Sequence, residues 1–135
     1  MNQPIHQLPK LLANMAPELQ PGRYAFVCLG LHKNPDGIAA IASFREKEGW
    51  TLVVEELVAH QNNLTVLFSA AWITLTVNSE LAAVGLTASV SQALAAHNIA
   101  CNMMAGAFHD HLFVPWESVE DAMQCLRDLQ HKAMY

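Results

Sequence analysis

The sequence is short of charge, and of positive charge above all. Seven lysines and arginines stand against twelve aspartates and glutamates, a formal net charge of −5, and only 14% of the 135 residues are charged. No lysine/arginine cluster offsets that balance, so no nucleic-acid partner is expected. Long apolar runs are missing as well. None approaches the roughly 18 residues a membrane span needs, and "MNQPIHQLPKLLANMAPEL" holds three prolines and no continuous apolar stretch of the kind a signal peptide carries. A cytoplasmic protein with no membrane partner is the expectation. Cysteine is scarce and odd in number: Cys28, Cys101 and Cys125 have no short metal-type spacing and read as reduced, mostly buried thiols. Apolar residues, in contrast, are plentiful at 53%. That excludes disorder and predicts a sizeable core, in one domain or two small lobes sharing it. So little charge also implies apolar surface covered by a second copy, hence a homo-oligomer, in the simplest case a dimer.

Along the chain, residues 1–22 are broken by Pro4, Pro9, Pro17 and Pro21, with a short amphipathic piece from Leu8 to Met15. "RYAFVCLGL" reads as a strand and "HKNPDG" as a turn. "GIAAIASFREKEGWTLVVEE" reads as a hairpin around the polar tip "REKEG", with Gly49 in an unusual backbone conformation; a helix over Ile38–Lys47 is the local alternative. "EELVAHQNN" reads as a short helix. In "WITLTVN", Ile73, Leu75 and Val77 alternate with Trp72, Thr74 and Thr76, the mark of a sheet with one buried face. Leu86, Val90, Ala93, Leu94 and His97 recur at helical spacing. "ACNMMAGAF" and "HLFVP" supply two more strands, and Ser118 with Asp121 predicts a capping box for a final helix. Residues 70–132 therefore read β-α-β-β-α. One more strand would complete a ferredoxin-like unit, and Tyr24–Leu29 is the candidate.

The joint after "TVN" is where a ligand would sit. The first N–H groups of a helix have no internal partners and, with the helix dipole, attract a carboxylate or phosphate. Gly85 lets a backbone come close, and Asn78, Ser79 and Thr87 offer hydrogen bonds. An ordinary helix start capped by Ser79 or Thr87 explains the same residues. Residues 102–106 would lie beside this joint, and Asn102 can both donate and accept, as a zwitterion requires.

The text "VNSELAAVGLTASVSQALAAHNIACNMMAGAFHDHLFVP", with "AVGLTA" and "HDHLFVP" its most specific parts and "ASFREKEGWTLVV" at residues 42–54, resembles the ACT domain family, in particular small bacterial proteins of two fused ACT-like lobes. The resemblance spans roughly residues 10–130. It implies an α+β fold of two tandem ferredoxin-like βαββαβ lobes with antiparallel sheets and helices on one face, an N-terminal lobe at 1–67 and a C-terminal one at 68–135. It also implies regulation by an amino acid or similar small metabolite. The ligand-holding turn of the family maps onto Asn78, Ser79, Val84, Gly85, Leu86 and Thr87, and the neighbouring strand onto Asn102, Met103 and Ala105. The family's common Asp-x-Pro-Gly at this turn is replaced here by "NSELAAVG".

His109-Asp110-His111 is the one catalytic-looking motif. In a strand both histidines share a face, but two are an incomplete zinc site and no nucleophile accompanies them. A hydrogen-bonded turn at His109 and Asp110, with His111 entering the last strand, is preferred, so no metal, cofactor or catalytic residue is expected. The rival readings are a metal-assisted hydrolase using His109 and His111, and an interaction module with no ligand. Trp50, Trp72, Trp116 and the methionines read as packing, and Arg45 as an ion-pair partner of a neighbouring glutamate.

Overall fold

The computed structural model describes residues 3–135. The chain forms two compact units: the segment ending at Pro21 together with Trp72–Tyr135, and Gly22–Ala71. Both build the same antiparallel strand order.

In the contiguous unit, β2 (Tyr24–Leu29), β3 (Ala40–Arg45) and β4 (Trp50–Glu55) are followed by the short helix α2 (Glu56–Gln61) and the first half of β5 (Phe68–Leu75). β4 pairs with both β3 and β2, and Tyr24–Phe26 of β2 pair with residues 70–68. The spatial order β3-β4-β2-β5 is that of a ferredoxin-like lobe in which the first helix has shrunk to the 3-10 turn Pro35–Gly37. Asn34 causes the shrinkage: its side chain accepts from the Asp36 N–H, and a residue before proline is held out of the helical region. Alternation along the strands buries Ala25, Val27, Leu29, Leu52 and Val54 against α2. The hairpin expected around "REKEG" is present, but Gly49 does not have a positive φ. A side chain is excluded there for another reason: a Cβ would stand 2.8 Å from the Leu29 carbonyl oxygen on the neighbouring strand. Arg45 lies over the Trp50 ring, 5.9 Å from its centroid, where a glutamate partner was expected. Cys28 is exposed rather than buried.

The discontinuous unit starts with α1 (Leu8–Ala13) and the three-residue strand β1 (Pro17–Leu19), then resumes in the second half of β5. α3 (Leu86–Ala96), β6 (Asn102–Ala105), β7 (Asp110–Pro115) and α4 (Val119–Met134) complete it. The missing fourth strand of the β-α-β-β-α reading is β1, whose residues 17–19 pair with 75–73. Tyr24–Leu29, expected there, instead pairs through Tyr24–Phe26 with the earlier half of β5. Proline and a three-residue length hid β1 from the sequence pattern. Ile73, Leu75, Leu112 and Val114 are fully buried on the face that receives α3, through Leu86, Val90 and Leu94, and α4, through Ala122, Met123 and Leu126. His97, expected on the helix face, is exposed at the C-cap of α3. The capping box is not formed: Ser118 ends the 3-10 turn Trp116–Ser118 at φ −102°, ψ 7°, outside the extended conformation an N-cap side chain needs, and makes no cap bond. Gln130 of α4 fastens the N-terminal arm by accepting from the Ala16 N–H at 2.9 Å and donating to the Ala13 carbonyl at 3.0 Å.

Candidate ligand-binding site

The turn between β5 and α3 is held from three sides. Ile5 forms a parallel bridge with Ser79, its N–H donating to the Asn78 carbonyl at 2.7 Å and its carbonyl accepting from the Glu80 N–H at 2.9 Å. His6 faces the Glu80 carboxylate at 3.6 Å. Gly85 is the N-cap of α3 at φ +109°, and Leu8 packs so close that a Cβ would meet its methyl group at 2.9 Å. Glycine is required here by conformation and by Leu8, independently of any ligand.

Between this turn and the β6–β7 hairpin lies a cleft of about 110 Å³, lined by Ser79, Glu80, Leu81, Ala83, Gly85, Leu86, Thr87, Ala105 and Asp110. Of the residues expected to bind a ligand, Ser79, Gly85, Leu86, Thr87 and Ala105 are brought together. Asn78, Val84, Asn102 and Met103 are not in the lining. Val84 is 84% exposed. Asn102 pairs with Phe113 and so points to the sheet face opposite Ala105, while Met103 shares the Ala105 face but sits lower, opposite Leu112. No side chain caps α3, so the positive end of an eleven-residue helix, at the cleft-lining residues Gly85–Thr87, is left without a side-chain acceptor.

Sequence reasoning missed Asp110 as a cleft residue. The expected turn at His109 and Asp110 is only half right: Gly106 N–H donates to the His109 carbonyl at 2.9 Å, but Asp110 is the first residue of β7, opposite Ala105. Its carboxylate accepts from Ser79 Oγ at 2.5 Å, and both residues are buried. The signal was the alternation already noted for the two histidines, which puts Asp110 on the opposite face.

His111 is occupied elsewhere. Nδ1 of His111 accepts from Trp72 Nε1 at 3.1 Å, with Thr74 Oγ1 3.0 Å from the same nitrogen, and Thr74 accepts from Gln20. Burial, and then the neighbouring His109, hold the His111 pKa below its ordinary 6.5 against the opposing charge of Asp110. The two rings stand 6.5 Å apart, and no group of three His, Cys, Asp or Glu among the described residues is placed to hold a metal ion. Cys101 is pushed up to about 11 and Cys125 is raised, both mainly by burial, which makes them poor nucleophiles. Among the described residues no helix is long and apolar enough to cross a membrane.

A Vibrio cholerae protein of unknown function, named as a possible transport protein, is similar to this chain at 42% identity and a TM-score of 0.81, over 91% of this chain and 95% of its own. A protein from Agrobacterium tumefaciens shares the fold at 17% identity and a TM-score of 0.66, over 84% and 87% of the two chains. So does the ligand-free regulatory subunit of aspartate kinase from Thermus thermophilus, at 12% identity and a TM-score of 0.65, over 87% and 97%. No curated protein matches the sequence. The ACT domain matches in two stretches, residues 3–71 and residues 68–128, and the chain belongs to the ACT domain family, with two such domains in tandem.

Proposed function

We propose that this chain is a regulatory protein that binds an amino acid and performs no chemistry of its own. The observation that carries the reading is the cleft at the β5–α3 turn, where an uncapped helix start and a buried carboxylate share about 110 Å³. A helix start favours a carboxylate, and Asp110 favours a donor, so the two walls suit the two ends of an α-amino acid. Membership of the ACT family and the fold shared with the aspartate kinase regulatory subunit support the regulatory part. The two family matches also support residues 1–67 and 68–135 as the inherited lobes.

Leu81, Val84 and Phe108 are 70%, 84% and 56% exposed, on or next to the segments that form the cleft. A second copy seated there would cover them, and the protein acts as a cytoplasmic homodimer in this reading. Ligand binding would then alter a downstream protein through its different affinity for two states.

Thermal unfolding with each of the twenty amino acids tests this. A ligand at about a hundred times its dissociation constant adds ~2.7 kcal/mol, a rise of several degrees for a chain of this size. Thr87→Trp, placed at an exposed position on the cleft wall, should abolish the rise. No rise with any amino acid would overturn the reading.

A further inference from the structure

Asp110 is only 8% exposed, yet its one hydrogen-bond donor among the described residues is the Ser79 hydroxyl on Oδ2. No lysine, arginine or histidine makes an ion pair with it among those residues. A carboxylate offers about four acceptor positions, and Oδ1 of Asp110 has no side-chain donor among the described residues and is not sealed from the cleft. The residue lines the cleft, so an occupant can supply the missing donors. Glu80 adds a second negative charge to the lining, and no cationic side chain belongs to it. A bare metal ion is a poor occupant: calcium or magnesium asks for six or more oxygens, and the positive end of α3 borders the same cleft.

We propose that Asp110 is the ammonium-binding group of this cleft, and that its ligand is an α-amino acid with a small uncharged side chain. The ammonium donates to the free oxygen of Asp110 and the carboxylate accepts from the N–H groups that open α3. This deepens the amino-acid reading above and rests on it. Size favours a small side chain: the cleft of about 110 Å³ is smaller than the roughly 150 Å³ cavity that takes up a benzene. Charge sets the other limit, because a second carboxylate on the ligand would meet Glu80 and Asp110.

Isothermal titration of the full chain with L-alanine, L-serine, L-lactate and L-aspartate separates the possibilities. Lactate is alanine with a hydroxyl in place of the ammonium. Alanine or serine should bind, lactate and aspartate should bind at least about tenfold more weakly, and Asp110→Asn should lose at least about tenfold in alanine affinity. Equal binding of lactate and alanine, or an unchanged alanine affinity in Asp110→Asn, overturns the assignment. Should Asp110→Asn lose its thermal transition, the alanine–lactate pair on the unaltered protein decides. A bulky amino acid that binds the unaltered protein, is blocked by Thr87→Trp and is indifferent to Asp110→Asn leaves the sensor reading standing and removes this one. Failure of all twenty amino acids to bind removes both.

Discussion

After β5 the chain turns through Gly85 into eleven residues of helix; after β2 it turns at Gly30 and reaches only the 3-10 turn Pro35–Gly37. The two units share a strand order, and each has a cleft beside its turn. Around the second cleft, of about 300 Å³, stand Lys33, Asn34 and Asn62, with no carboxylate in the lining. The first has Asp110 and Glu80 and the start of a helix. A shared strand order therefore leaves the chemistry open. It is decided by whether a helix begins at the turn and by which charged residue the facing strand presents.

Four substitutions probe this contrast. The largest effect should come from the helix that only one joint possesses. Leu94→Ala empties a fully buried position of α3 and should cost about 2–5 kcal/mol in urea unfolding. Gly85→Ala should cost about 1–3 kcal/mol, because it forces a positive φ on alanine and presses on Leu8. An indifferent Gly85→Ala would mean the turn relaxes freely, and the contrast between the joints would be weaker than the geometry states. Next comes His111, the acceptor for Trp72 in the unit that carries Asp110. Its folded pKa is depressed, so the stability it contributes is present above its ordinary 6.5 and is lost as pH falls through the folded value. His111→Gln keeps a neutral acceptor for Trp72, and its urea midpoint should lack that acid-side decline. Smallest is Gly37→Ala, where a Cβ meets nothing within 4 Å and φ is not positive; a change within about 0.5 kcal/mol is expected.

The strands and long helices of this fold were legible because apolar residues recur at period 2 in "WITLTV" and at helical spacing from Leu86 to Leu94. β1 was not legible, since Pro17–Leu19 is too short to show a period and gains its pairing only from β5. At the site, Ser79, Gly85 and Thr87 could be read from the strand-to-helix joint alone. Asn102 misled because its chemistry suited a zwitterion while its register turned it to the other face. Asp110 was overlooked for the opposite reason: two flanking histidines drew the eye, and its partner Ser79 lies 31 positions away.

The short strand β1 also sets a timetable for synthesis. Gly22–Ala71 is one unbroken stretch and can close on itself as soon as it leaves the ribosome. Pro17–Leu19 emerges earlier but must wait for Ile73–Leu75. At about 5–20 residues per second, that wait is roughly 3–12 s. The arm with β1 is therefore among the last pieces to dock, and the unit that carries Asp110 is the second of the two to be completed.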